Sequence, residues 1–152
     1  MLLRTHLVFS IAFGLFLMEI LEIPNELLFF VVLIFATAFV DIDTKNSKMG
    51  KKFYFRPIQI FTKHRGMIHS LFFSILVSLI ISYFHNWVGI AFFAGYISHL
   101  FLDFLTKEGV AFLWPISSKR FGLGIKVGGV IEDVIFISLF VVNVIFVWRI
   151  FS

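Results

Sequence analysis

The chain has 152 residues, 60% of them hydrophobic and 14% charged, with a formal net charge of +4 and no cysteine. Its mean hydropathy of +1.01, and an apolar fraction above the roughly 45–50% usual in soluble domains, exclude an ordinary soluble enzyme and point to a small integral membrane protein. Without cysteine there are no disulfides or thiolate metal sites, which leaves imidazole and carboxylate as the metal ligands on offer.

Five apolar stretches, at about 6–23, 26–41, 67–84, 88–105 and 130–150, predict an all-α helical membrane bundle forming a single domain over residues 1–152. Runs this apolar, without alternation, read as helices rather than barrel strands. A span needs about 20 residues to cross ~30 Å of hydrocarbon, so the first two are short for the task. Arg4 ahead of an apolar core gives residues 1–23 the outline of a signal peptide. No small-residue cleavage site follows, and Glu19 and Glu22 interrupt the region where it would lie, so the segment reads as a retained span.

Basic residues set the expected orientation. With a cytoplasmic N-terminus, Arg4 lies inside. So do Lys45, Lys48, Lys51, Lys52, Arg56, Lys63 and Arg65 of the 42–66 connection, and Lys107, Lys119, Arg120 and Lys126 of the 106–129 connection. Only Arg149 falls outside. The positive-inside rule then predicts a plasma or inner membrane protein with both long connections in the cytoplasm and the C-terminus outside. Trp87 and Trp148 suit the outer aromatic belt, and the short outer turns lie around Pro24 and around His85.

On this topology the residues able to bind a metal or phosphate gather at one end. His6 opens the first helix, Asp41 and Asp43 close the second, His69 leads into the third, His99 and Asp103 end the fourth, and Glu132 begins the fifth. An ionised Asp deep in a helix costs about 2.5 kcal/mol to insert, somewhat less near an end, so Asp103 requires a compensating partner. His99 and Asp103 are spaced i, i+4 on one helix face, where a single cation can bridge them or a His–Asp hydrogen bond can tie helices together. Asp41-Ile42-Asp43 is either a ligand pair or a solvated cap. His64 and His69 can share a site only if Gly66 breaks the chain between them. Arg65 brings a planar cation suited to phosphate, and is equally one more basic residue of the inner face.

Thr5-His6-Leu7, Asp41-Ile42-Asp43, His64-Arg65-Gly66 with His69-Ser70, and Gly95-Tyr96-Ile97-Ser98-His99-Leu100 through Asp103 and Thr106 resemble the membrane-bound metal-dependent hydrolases, also described as LexA-binding, inner-membrane-associated hydrolases. The resemblance continues through Gly109-Val110, Leu113-Trp114-Pro115, Arg120-Phe121 and Gly128 with Glu132, over nearly the whole chain. That family is more distantly similar to zinc-dependent phospholipases C, helical enzymes whose metal site also uses a His-x-x-x-Asp pair. Carried over by position, the resemblance implies Asp41, His69, His99 and Asp103 as the ligands of one metal. His6, His64, Asp43 and Glu132 become candidates for a second metal or the shell around the first. The chain departs from the pattern at Val40 and Lys107, where proline is usual, and at Ile68, where threonine is usual; none of these removes a ligand.

The chemistry this implies is hydrolysis by water activated on one or two divalent ions, zinc first, with manganese or iron(II) as alternatives. Such an ion brings the pKa of bound water from 15.7 towards ~7. Glu132 or Asp43 would be the general base, and Arg65, Lys119 and Arg120 would hold a phosphoryl group. A site opening at the headgroups makes a phospholipid or lipid-linked phosphate ester the natural substrate. Two other classes stay open. One is a divalent-cation transporter, disfavoured because the outer halves of the helices carry few polar residues beyond Glu19, Glu22, Asn143 and the Ser74, Ser78, Ser82 face. The other is a non-enzymatic interaction protein using the basic, aromatic 42–66 connection. That connection fits anionic lipid better than nucleic acid, for which no motif is present. Oligomeric state is not legible.

Overall fold

The computed structural model describes residues 1–43, 47, 50–53, 56, 59 and 66–152. Among them are five α-helices: α1 (Leu3–Ile20), α2 (Glu26–Phe39), α3 (Leu71–Phe84), α4 (Asn86–Leu105) and α5 (Val130–Phe151), with a 3-10 turn at Val40–Asp43 extending α2. The helical membrane class expected from composition holds. The expected five full spans need correction, because among the described residues only Leu3–Ile20, Asn86–Leu105 and Val130–Arg149 are long and apolar enough to cross a membrane.

Local chemistry explains the two short helices. Both α2 and α3 have 14 residues, about 21 Å of rise against ~30 Å of hydrocarbon. Asn25 caps α2, its side chain accepting from the Leu28 amide at 2.9 Å, and the helix tightens into the 3-10 turn at Val40. The expected third span began at 67. Instead, Ser70 accepts from the Phe73 amide at 3.1 Å and donates to the Met67 carbonyl at 2.7 Å, so 67–70 is a turn and α3 starts at Leu71. A serine cap inside an apolar run is invisible to hydropathy and decisive for where the helix begins.

Helix α4 is the centre of the bundle, with 61% of its span buried, whereas only 6% of the α5 span is buried. It packs against α1, α2 and α3, while α5 leans chiefly on α1. Small residues permit this. A Cβ on Gly95 would lie 2.2 Å from the Leu33 carbonyl oxygen, so the α2–α4 crossing needs a glycine there. In lipid such close backbone approach supplies much of the helix–helix attraction. Phe92, Tyr96 and Leu100 of α4 pack with Ala36, Val40, Ile42, Ile68 and Val110 into the main core cluster. Ser74 and Ser78 are buried, in keeping with a close-packed serine face on α3. Beyond its foot, polar ties to α1 hold α5 along its length: Asn143 donates to the Val8 carbonyl at 2.9 Å, and Arg149 pairs with Glu19 at 3.3 Å. Glu19, unassigned in the sequence, thus has a partner at the end opposite the cluster.

Between α4 and α5, residues 106–129 form a strap hydrogen-bonded to itself and to the end of α4. The Lys107 amide donates to Ile125 at 2.9 Å, Val110 and Phe121 exchange bonds of 2.9 and 3.0 Å, and the Leu123 and Ile125 amides donate to the carbonyls of Phe104 and Leu105 at 3.0 Å. Gly109 makes the turn at φ +64°, where a side chain would strike the Phe121 carbonyl.

Candidate metal centre

Two helices and two turns bring the polar residues together. Helix α4 carries His99 and Asp103 one turn apart, the 3-10 turn presents Asp41 and Asp43, the turn before α3 places His69, and the first turns of α1 supply His6. Among the described residues, two groups of ligand atoms lie close enough to hold a metal ion: Asp41, His69 and His99, and His6, His99 and Asp103. They share His99.

The spacings tie the groups into one cluster. His69 Nε2 lies 3.8 Å from Asp41 Oδ1 and 3.7 Å from Asp103 Oδ2, and His99 Nε2 lies at the same two distances from the same two oxygens. These separations exceed a hydrogen bond. Donors held ~2.0–2.2 Å from a tetrahedral ion stand about 3.3–3.6 Å apart, so the four spacings are a few tenths of an ångström wider than a loaded zinc site requires.

The other ring nitrogens fix what these atoms offer. His99 Nδ1 is 2.8 Å from the Thr37 carbonyl oxygen, which can only accept, so Nδ1 carries the hydrogen and Nε2 of the neutral ring presents a lone pair. His69 Nδ1 likewise lies 3.1 Å from Asp43 Oδ2. Metal-binding histidines are oriented in this way, one nitrogen donating to a carboxylate or carbonyl while the other faces the ion. His99 Nε2 is buried and makes no hydrogen bond among the described residues. Lone pairs from two imidazoles directed at two carboxylates repel one another unless a cation or protons intervene, and the donor set, two nitrogens with two oxygens, suits a borderline divalent cation. The residues therefore fit a metal ion.

His6 stands on the far side of Asp103. Its Nε2 is 3.4 Å from Asp103 Oδ1 and its ring stacks on His99 with centroids 4.0 Å apart. The amino group of Met1 also reaches Asp103 Oδ1, at 2.9 Å. One oxygen of Asp103 thus faces His6 and Met1, and the other faces His69 and His99. Burial is uneven. The His69, His99, Asp103 and His6 side chains are at most 3% exposed, whereas Asp41 is 23% exposed and marks the open side.

The two carboxylates expected to supply a base are both engaged. Asp43 is the acceptor for His69, as above. Glu132, fully buried, accepts from the Leu2 amide and from Thr5 Oγ1 at 2.9 Å through one oxygen, and from the Gly128 amide at 2.7 Å through the other. That geometry ties the start of α1 to the foot of α5, next to His6. Of the expected phosphate-binding residues, Lys119 and Arg120 are exposed on the strap, with Lys119 over the Phe121 ring. His64 and Arg65 lie outside the described residues, as do Lys45, Lys48 and Lys63 of the same connection.

Sequence reasoning missed Thr37. Its backbone carbonyl orients His99, and its hydroxyl bonds Ser10 and the Leu33 carbonyl at 2.8 Å each. No side-chain pattern announces a backbone acceptor. It also missed Tyr96, buried in α4, which donates to the Ile68 carbonyl and so steadies the residue before His69.

A model of the YdjM inner membrane protein family matches residues 1–151. The chain belongs to this family. It is 36% identical over 116 residues to the inner membrane proteins YdjM of Escherichia coli (strain K12) and Shigella flexneri, a match covering 68% of this chain and 59% of each relative. The chain thus spans about three fifths of the length of those relatives. No solved structure matches it. Family membership and the apolar helices together place the protein in the membrane.

Proposed function

We propose that Asp41, His69, His99 and Asp103 hold one divalent cation, zinc by donor chemistry, and that the protein is a membrane-embedded hydrolase of phosphate esters carried by lipids or lipid-linked molecules. The observation that carries this reading is the convergence of two oriented histidine Nε2 atoms on two carboxylates at 3.7–3.8 Å. One ion suffices. His99 has a single nitrogen to give, Nδ1 being held by Thr37, so the two ligand groups that share it compete rather than fill together.

Bound there, a divalent ion supplies Lewis acidity and acidifies a water at neutral pH. The chain's own residues do the rest. Asp43 holds the His69 ring so that Nε2 faces inward, and the Thr37 carbonyl does the same for His99. Both act as positioning groups. His6 and the Met1 amino group offset charge on the outer oxygen of Asp103. Glu132 fixes α1 against α5 and keeps His6 in register with His99. With both its oxygens committed, Glu132 supports the site instead of taking a proton from water. Asp41, the one solvent-reached ligand, marks the side from which a phosphoryl group approaches. Lys119 and Arg120, with Arg65, are the cations offered to it. The cluster's place at a helix end, two residues before α4 finishes at Leu105, favours a substrate whose ester lies at headgroup depth.

The test is a lipid-class hydrolysis screen with purified protein, with and without chelator. Chelator-sensitive release of a headgroup or phosphate supports the reading. Full metal occupancy without hydrolysis of any lipid phosphate ester overturns the enzymatic part and leaves the metal centre standing.

A further inference from the structure

The strap between α4 and α5 exposes apolar side chains that the bundle does not need. Ile116 is 92% exposed, Leu123 65% and Leu113 51%. Four exposed cations, Lys107, Lys119, Arg120 and Lys126, flank them, against one exposed acid, Glu108. This is not a loose loop. Hydrogen bonds run across the strap and to the last carbonyls of α4, and the Leu71 amide donates to Phe112 at 3.1 Å, pinning the strap also to the start of α3. A segment held this firmly, with its aliphatic groups turned outward, presents them to something.

Chain continuity says where. Two helices long enough to span, α4 and α5, meet the strap at its two ends, so it lies at the membrane boundary. The first residues of α5 continue the apolar surface, Val130 being 79% and Ile131 61% exposed. Aliphatic side chains beside lysine and arginine at this depth match an interface whose outer layer is anionic and whose inner layer is hydrocarbon.

We propose that the strap is a membrane-reading surface, inserting Leu113, Ile116 and Leu123 among the acyl chains while Lys107 and Lys126 bind anionic phospholipid headgroups of the same leaflet. This surface is independent of the metal reading, because Ile116, Leu123, Lys107 and Lys126 belong to no proposed ligand or substrate contact.

The absence of cysteine makes the test direct. An environment-sensitive fluorophore is attached at Ile116→Cys, and at the exposed Glu22→Cys as a control, in the full chain reconstituted into vesicles of phosphatidylcholine alone or of a roughly 2:1 mixture with phosphatidylglycerol. The expected result is quenching at 116 by brominated acyl chains about threefold stronger in the anionic vesicles, with matching loss of quenching by aqueous iodide. Lys107→Gln/Lys126→Gln should remove most of that lipid dependence while unchanged helical circular dichroism shows that the fold is intact. Equal iodide access at 116 and 22 in both vesicle types overturns the proposal. So does protection at 116 that arises only when a soluble protein fraction is added, which would make the strap a protein-docking face.

Discussion

The two ends of the bundle treat charge in opposite ways. At one end Asp103, His69 and His99 are buried together, with spacings too long for hydrogen bonds between the histidine Nε2 atoms and the carboxylates. At the other, Glu19 meets Arg149 at 3.3 Å with both side chains about half to two-thirds exposed. An exposed pair can be dispensed with, since water screens each partner when the other is lost. A buried carboxylate has no such substitute, and its persistence within a membrane helix signals that a cation or a committed donor compensates it. The contrast is why the first end carries the proposed metal site and the second reads as a fastening.

The largest expected effect follows from breaking the buried end. Asp103→Ala leaves His6 and the Met1 amino group facing a vacated position and removes a ligand. It should destabilise the protein by about 3–5 kcal/mol, the usual result of stripping one partner from a buried charge pair, and abolish metal binding; thermal unfolding in detergent and elemental analysis read these out. Asp43→Asn should weaken metal binding about 10–100-fold while leaving the stoichiometry at saturation unchanged, because it perturbs the orientation of His69 without deleting a ligand. A competition titration with a chromophoric chelator measures it.

Glu132→Gln separates a tie from a base. An amide in place of Oε2 would oppose the Gly128 amide donor-to-donor, so stability should fall by about 1–3 kcal/mol. Unchanged stability with lost hydrolysis would restore Glu132 as the proton acceptor. Thr37→Val should cost about 1 kcal/mol through the lost hydroxyl bonds to Ser10 and Leu33. It should keep metal affinity, since His99 bonds the backbone carbonyl; the same chelator titration checks this. Smallest is Arg149→Ala, expected to shift stability by no more than about 1 kcal/mol, measured by the same unfolding assay.

What the sequence revealed and what it hid divide along physical lines. His99 and Asp103 were legible because i, i+4 spacing is enforced by the helix itself. Asp41 and His69 came from resemblance, and their meeting depends on the α2–α4 crossing at Gly95, which spacing within either segment cannot predict. The start of α3 is hidden from hydropathy, which averages over Ser70, whose hydroxyl caps the helix and fixes its first turn at Leu71. The partners of Asp43 and Glu132 were hidden for another reason. Both are long-range contacts, and a carboxylate near a metal ligand reads equally well as base, ligand or brace until its neighbours are known.

Metal content per chain in purified wild type, His99→Ala and His6→Ala tests the central claim most directly. One equivalent in wild type, almost none in His99→Ala and a retained equivalent in His6→Ala is the predicted result. Undiminished metal in His99→Ala would contradict the account.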